Sequence, residues 1–162
     1  MRREYEYLSL SLTERKRIFN SLYNFARTVN IKYYTLNVEK KELEEKIDLN
    51  VQITKKLSAF LFKHLEVFTQ YERIMVYYDF GQMELANILV SVFNTIFQVV
   101  EFRKVKPVDY KLFQAADMLC TLELLALKAE KNMLSKSESV FFTSSKNLNK
   151  AYLKAIQRKR FI

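Results

Sequence analysis

The fold is decided by the stretch from Glu72 to Val105, which reads ERIMVYYDFGQMELANILVSVFNTIFQVVEFRKV. Its first segment, ERIMVYYD, is continuously apolar at its centre and ends in Asp79, a pattern typical of a strand buried on both faces. The FGQ turn leads into an apolar-faced helix from Met83 to about Phe97, and VVEFRKV then predicts a strand from Val99 to Val105. Strand, helix and strand in this order indicate an α/β layer with mostly parallel strands.

The same patterns predict further elements on the N-terminal side of this stretch. A helix with Ser11 or Thr13 as its N-cap is expected from about Leu12 to Val29, because apolar residues recur there at three- and four-residue spacing. The aromatic and β-branched run IKYYTLNV predicts a strand from Ile31 to Val38. Two helical segments follow, a charged one from roughly Lys40 to Ile47 and a long one that begins after Asp48 and continues to about Thr69.

Two more helices are expected after Val105. Pro107 and Asp109 open one that continues to about Met133, and a shorter one runs from about Ser145 to Arg158. Because the chain has one Gly and one Pro, nothing in it reads as a linker. We therefore predict a single α/β domain over residues 1–162, with a small, mostly parallel sheet of about three strands flanked by helices.

The composition excludes several classes of function. The 162 residues are 49% hydrophobic and 28% charged, which is typical of a globular chain. One Gly cannot form a glycine-rich phosphate loop, and one His with one Cys cannot form a zinc finger, a HExxH site or a disulfide framework. Carboxylate and metal chemistry, or binding without chemistry, remains.

The charge balance indicates an acidic partner. The chain has 27 Lys and Arg against 18 Asp and Glu, a net charge of +9, and nucleic acid is the commonest partner of such chains. Four basic residues recur every four positions along the last predicted helix: Lys146, Lys150, Lys154 and Arg158. They lie opposite Leu148, Tyr152 and Ile156, so the helix can dock and still present charge outward. This stripe is either a phosphate-contacting face or a solvated one.

A cytoplasmic location is predicted, without membrane association. The N-terminal MRREYEYLSL has no hydrophobic region of a signal peptide, and no run reaches about 18 uninterrupted apolar residues. Cys120 lies in an apolar run, which agrees with a reducing compartment.

Acidic residues supply the candidate catalytic and metal-binding positions. Asp79 ends a strand, where it can hold Mg²⁺ or Mn²⁺ or merely cap the turn that follows. Asp117 lies in LFQAADMLCTLELLAL, a helix so apolar that we expect the carboxylate to be buried, as a functional group or in a salt bridge. Gln114 lies on the same helix face, and Asp109 is a ligand or an N-cap.

Two runs of sequence carry a resemblance to a known family, namely VYYDFGQMELANILVSVF and VEFRKVKPVDYKLFQAADMLCTLELLALK. They resemble the bacterial family catalogued as domain of unknown function 3800, whose members look like ribonuclease-H-like folds. Asp79 matches the family's strand carboxylate, Asp109 its loop aspartate, and Gln114 with Asp117 its Gln-x-x-Asp helix motif. The resemblance, which covers nearly the whole chain, implies a site in which the three aspartates ligate Mg²⁺ or Mn²⁺ and Gln114 supports them.

The family pattern differs from this chain at its start. Family members open with a strand that carries an Asp-Glu-Ser-Gly signature, and this chain lacks that strand. Asp79 and Asp117 would then be the remnant of a catalytic site, and the chain is either a fragment or a natural short form. A missing first strand would leave a bare sheet edge, which we expect a second copy in a homodimer or another protein partner to cover.

Three functions are compatible with the sequence. The leading hypothesis is a ribonuclease-H-like module that binds or regulates a partner and lacks full nuclease activity. The second is a metal-dependent nuclease whose site is completed by a second chain. The third is an inhibitor from a phage or mobile element that acts on a nucleic-acid machine.

Overall fold

The computed structural model describes residues 10–38, 46–79 and 81–161. The chain divides into two compact units, one formed by residues 1–35 with 111–162 and the other by residues 36–110. The two strands formed by the described residues lie in the second unit, and the described residues are mostly helical, so the fold is mixed α/β. The single domain over residues 1–162 stays a prediction.

The first unit is helical. It contains α1 (Leu12–Thr28), α5 (Lys111–Glu130), α6 (Lys136–Phe142) and a last helix, residues 145–157. The last helix consists of α7 (Ser145–Asn147), a π-helical turn (Leu148–Leu153) and α8 (Lys154–Gln157), which follow one another without a break. The core of the first unit contains buried side chains from all of these helices, such as Tyr23, Leu122, Phe142 and Ile156.

Sequence signals fix the ends of several of these helices. Ser11, one of the two N-caps that the sequence left open, is the N-cap of α1, and its side chain and that of Glu14 form a reciprocal capping box. Ser135 and Glu138 form a second capping box at the start of α6, a helix that the sequence analysis missed. The helix predicted from Pro107 to Met133 is divided into a 3₁₀ turn (Pro107–Asp109) and α5.

The second unit contains the predicted strand–helix–strand arrangement. Its elements are α2 (Lys46–Lys63), α3 (Leu65–Phe68), β1 (Ile74–Asp79), α4 (Met83–Ile96) and β2 (Val100–Val105). The two strands pair in parallel, with Ile74 opposite Val100 and Asp79 opposite Val105. A small core of Leu61, Val92 and Phe97 packs with Ile74 and Val100 on one face of the sheet.

The sheet is smaller than expected. Of the described residues, only β1 and β2 form a sheet, so the prediction of about three strands is wrong for this part of the chain. Residues 31–38 do not form a strand: Tyr33 makes a single bridge to Arg160, because no extended neighbour continues the ladder. Burial of β1 on both faces is also wrong, since Met75 and Tyr77 on its second face are 42% and 36% exposed.

The described residues do not test two further predictions, the charged helical segment and the partner at the sheet edge. Most of the charged segment from Lys40 to Ile47 falls outside the described residues, apart from Lys46 and Ile47 at the start of α2. A homodimer or protein partner at the sheet edge stays a prediction. No helix in the part of the chain that the structure describes is long and apolar enough to cross a membrane.

Candidate functional site

A surface groove of about 670 Å³ lies between the C-terminal end of α5 and the last helix. The last helix supplies most of its polar lining: Ser145, Lys146, Asn149, Lys150, Lys154 and Gln157. Ala126, Ala129 and Glu130 line it from α5, and Leu153 adds an apolar contribution. All these residues belong to the first unit. The groove therefore has a wall with three lysines, and an opposite wall formed by two alanines and the carboxylate-bearing Glu130.

Three of the four predicted phosphate-contacting residues meet in this groove. Lys146, Lys150 and Lys154 are exposed and line it together. Arg158 is exposed as well but is not among its lining residues. The predicted stripe thus lies at the surface throughout, and its first three members share one concave site.

The π-helical turn explains how the last helix keeps these lysines outward. Leu148 and Leu153, five residues apart, are both buried. In an α-helix, residues five apart point about 140° away from each other, whereas in a π-turn they lie closer to one face, so both leucines face the core. The predicted apolar face is therefore corrected at one position: Leu153 is buried and Tyr152 only half-buried.

Tyrosine hydroxyls fix the π-turn against α1. The Tyr23 hydroxyl donates to the carbonyl of Ala151 at 2.9 Å and lies 3.2 Å from that of Tyr152. The Tyr152 hydroxyl donates to Oδ1 of Asn20 at 3.0 Å. A side chain that binds carbonyls of a helix in this way is a recognised cause of local departure from α geometry. Ser144 caps the start of the last helix through the Asn147 N–H.

A polar cluster of the buried residues Glu123 and Tyr33 with the exposed Arg160 holds the segment that follows the last helix. The Tyr33 hydroxyl donates to Oε1 of Glu123 at 2.5 Å, and the Arg160 guanidinium binds both carboxylate oxygens of Glu123. The Tyr33 N–H donates to the Lys159 carbonyl and the Phe161 N–H to the Tyr33 carbonyl. Burial, reinforced by Glu123, raises the pKa of Tyr33 above its usual range, and Glu123 raises the pKa of Arg160.

Positive charge is concentrated in the unit that contains the groove. The first unit has 17 Lys and Arg against seven Asp and Glu, a formal net charge of +10. The second unit has ten against eleven, a net charge of −1. The charge that the whole chain carries therefore belongs to one unit.

Asp79 and Asp109 lie in the second unit. Asp79 is the last residue of β1, and its Oδ1 accepts a hydrogen bond from the Gly81 N–H at 3.4 Å, which is the turn-capping role that the sequence left open. Asp109 is exposed in the 3₁₀ turn, and its N–H donates to the Lys106 carbonyl. Their role as metal ligands stays a prediction.

Asp117 and Gln114 lie on α5 in the first unit, and Asp117 corrects an expectation. Asp117 is exposed, whereas the buried carboxylate of α5 is that of Glu123, 4% exposed. The buried face of α5 follows a helical period, with Ala115, Met118, Leu122 and Ala126 at three- and four-residue spacing, which puts Asp117 on the opposite side. This spacing was readable in the sequence and could have identified the buried face.

The described residues do not by themselves fit a metal centre. In residues 10–38, 46–79 and 81–161, no group of three or more His, Cys, Asp or Glu side chains could hold a metal ion. A two-metal site needs several convergent carboxylates to fix both ions. No reaction step through Mg²⁺ or Mn²⁺ follows from this donor set.

No protein-family model, curated protein or solved structure matches this chain.

Proposed function

We propose that this protein binds nucleic acid through the phosphate backbone, at the groove between α5 and the last helix. The observation that carries the proposal is the meeting of Lys146, Lys150 and Lys154, all exposed, along one wall of that groove. Phosphate contacts of this kind come chiefly from Lys and Arg and carry no sequence information. The protein would then act as a binding or regulatory module.

The charge distribution supports the proposal independently of the groove. A polyanion is attracted by the summed field of a basic surface, and the first unit alone carries a net charge of +10. Arg158, one further turn along the stripe, would extend the contact beyond the groove.

The rigid attachment of the last helix also favours binding. Tyr23 and Tyr152 join it to α1, and the Arg160–Glu123 pair holds the segment after it. A preorganised row of cations loses less conformational entropy on binding than a mobile one.

We propose further that the fold is ribonuclease-H-like and that the bound strand is left intact. The resemblance of Asp79 and the Gln114-x-x-Asp117 motif to the family pattern supports the fold. The turn-capping role of Asp79 and the exposure of Asp117 support binding without cleavage.

The experiment is a fluorescence-anisotropy titration of a labelled oligonucleotide at several salt concentrations. Three to four phosphate contacts predict a log–log salt slope of about −3 to −4 on duplex DNA, since each contributes about −0.9. Lys150→Ala with Lys154→Ala should reduce the magnitude of the slope by about two. The charge-matched control is Lys32→Ala with Lys136→Ala, two exposed lysines of the same unit outside the groove, which should leave the slope nearly unchanged.

Equal binding by both double variants would overturn the proposal, because the groove lysines would then be no different from other surface lysines. Cleavage of the labelled strand in Mg²⁺ or Mn²⁺ that is abolished by Asp117→Asn would instead support the metal-dependent nuclease.

A further inference from the structure

One residue of the groove opposes the binding of phosphates. Glu130, the last residue of α5, is exposed and lines the groove from the wall that faces the lysines. Resting on the proposed function, we infer that Glu130 makes the groove selective among polyanions. It disfavours a chain that is charged on all sides, such as inorganic polyphosphate, and admits nucleic acid, which has neutral groups beside its backbone.

The carboxylate of Glu130 has no counter-charge within the part of the chain that the structure describes. It makes no hydrogen bond or ion pair there, and the ammonium groups of Lys146, Lys150 and Lys154 make none either. All four groups line the same groove. A ligand in the groove therefore meets three positive charges on one wall and one negative charge on the other.

The position of Glu130 is unfavourable for its own helix. The C-terminal end of a helix carries a partial negative charge, which favours Lys or Arg there and disfavours a carboxylate. Lys128, the basic residue in the last turn of α5, binds Glu138 at 2.7 Å instead. Neither the helix dipole nor an ion pair among the described residues accounts for a glutamate at this position, whereas discrimination between ligands does.

Repulsion by Glu130 distinguishes ligands by where their charge lies. Two like charges about 6 Å apart in water repel enough to weaken binding about threefold. Nucleic acid is charged along its backbone, and its neutral base edges carry amino groups that can donate hydrogen bonds to a carboxylate. Every unit of polyphosphate is charged, so a chain bound to the lysines turns charged oxygens toward Glu130 in any orientation. A repulsive element of this kind is a recognised source of specificity.

The experiment compares a labelled oligonucleotide with inorganic polyphosphate of the same number of phosphates, at one salt concentration. Anisotropy gives the affinity of the oligonucleotide, and its displacement by unlabelled polyphosphate gives that of the polyphosphate. Glu130→Gln should tighten polyphosphate binding about threefold and oligonucleotide binding by less than about 1.5-fold. The matched control is Glu14→Gln, which removes the same charge from the same unit outside the groove. Gln also serves in a capping box, so this control keeps the cap of α1 and should change both ligands by one small factor.

A second variant separates the charge of Glu130 from the size of its side chain. Glu130→Ala should tighten polyphosphate binding as much as Glu130→Gln does, because the repulsion depends on the charge. If both Glu130 variants change the two ligands by equal factors, or by no more than Glu14→Gln does, the inference is overturned and the proposed function stands. If the parent does not bind the oligonucleotide at all, the proposed function fails and the inference fails with it.

Discussion

The two units differ in the residues that they bury. In the first unit, the buried carboxylate of Glu123 binds Tyr33 and Arg160 beside a core of aliphatic and aromatic side chains. In the second unit, the buried residues that the structure describes are all hydrophobic. The two units also differ in formal charge, +10 against −1. Buried polar groups demand defined partners and so favour one arrangement of the elements that carry them. The unit with the basic surface is thus also the one in which polar contacts fix the last helix.

The largest expected effect comes from the centres of the two cores. Leu122 and Leu61 are both almost completely buried, at 0% and 1% exposure. Leu→Ala in a core costs about 2–5 kcal/mol of unfolding free energy, depending on how far the surroundings relax. Leu122→Ala should lie near the upper end, because Leu122 belongs to the larger core of 13 buried residues, and Leu61→Ala near the lower end, because its core has only three buried residues among the described ones.

Urea unfolding measures the loss of unfolding free energy in each variant, and hydrogen exchange shows which elements are destabilised. Leu122→Ala should reduce amide protection in α1, α5 and the last helix, and Leu61→Ala in α2, α4 and the two strands. An equal loss of protection over the whole chain in both variants would mean that the two units unfold together.

An effect smaller than that of Leu122→Ala is expected at the polar cluster. Glu123→Ala leaves the Tyr33 hydroxyl buried without its acceptor and Arg160 without its counter-charge, so we expect a loss of about 3 kcal/mol in unfolding free energy. Arg160 can still reach water, which keeps the loss from being larger. Glu130→Ala, an exposed glutamate on the same helix, should change stability by less than about 0.5 kcal/mol. Similar losses in both variants would show that the cluster is not a special source of stability.

The smallest effect is the response to alkaline pH. Burial raises the pKa of Tyr33, so near pH 10, where an unfolded tyrosine loses its proton, the folded protein keeps it. The contribution of Tyr33 to the free energy of unfolding is fully present below about pH 10. As pH rises above about 10, this contribution is lost, by about 1 kcal/mol over the first pH unit. Denaturation at pH 9 and pH 11 should show a steeper loss for the parent than for Tyr33→Phe. The exposed neighbour Tyr34 provides the control, and an equal loss in Tyr33→Phe and Tyr34→Phe would contradict the assignment.

The sequence predicted best those elements whose ends are set by residues close to them in the chain. The bounds of α1, β1, α4 and β2 agree with expectation to within about two residues, since capping residues and apolar spacing act over a few positions. Tyr33 and its neighbours have the composition of a strand but no neighbouring strand to pair with, and composition carries no information about partners.

The candidate site was predicted in part, for a similar reason. Exposure of Lys146, Lys150 and Lys154 follows from their spacing, but the groove depends on the packing of the last helix beside α5. The π-turn could not be foreseen, because it depends on the Tyr23 hydroxyl, which comes from a distant part of the chain. The exposure of Asp117, by contrast, could have been predicted from the three- and four-residue spacing of the apolar residues around it. The prediction of a buried carboxylate relied instead on the overall apolar composition of the run.

The contact between the Tyr23 hydroxyl and the Ala151 carbonyl joins residues 128 positions apart, and this has a consequence for the order of folding on the ribosome. At 5–20 residues per second, α1 is made roughly ten seconds before the last helix emerges. During that interval the apolar face of α1 lacks the partners that cover it in the finished protein, while β1 and β2, 26 positions apart, can already pair. The second unit can thus fold while the ribosome is still translating, and α1 is the segment most in need of a chaperone until translation ends.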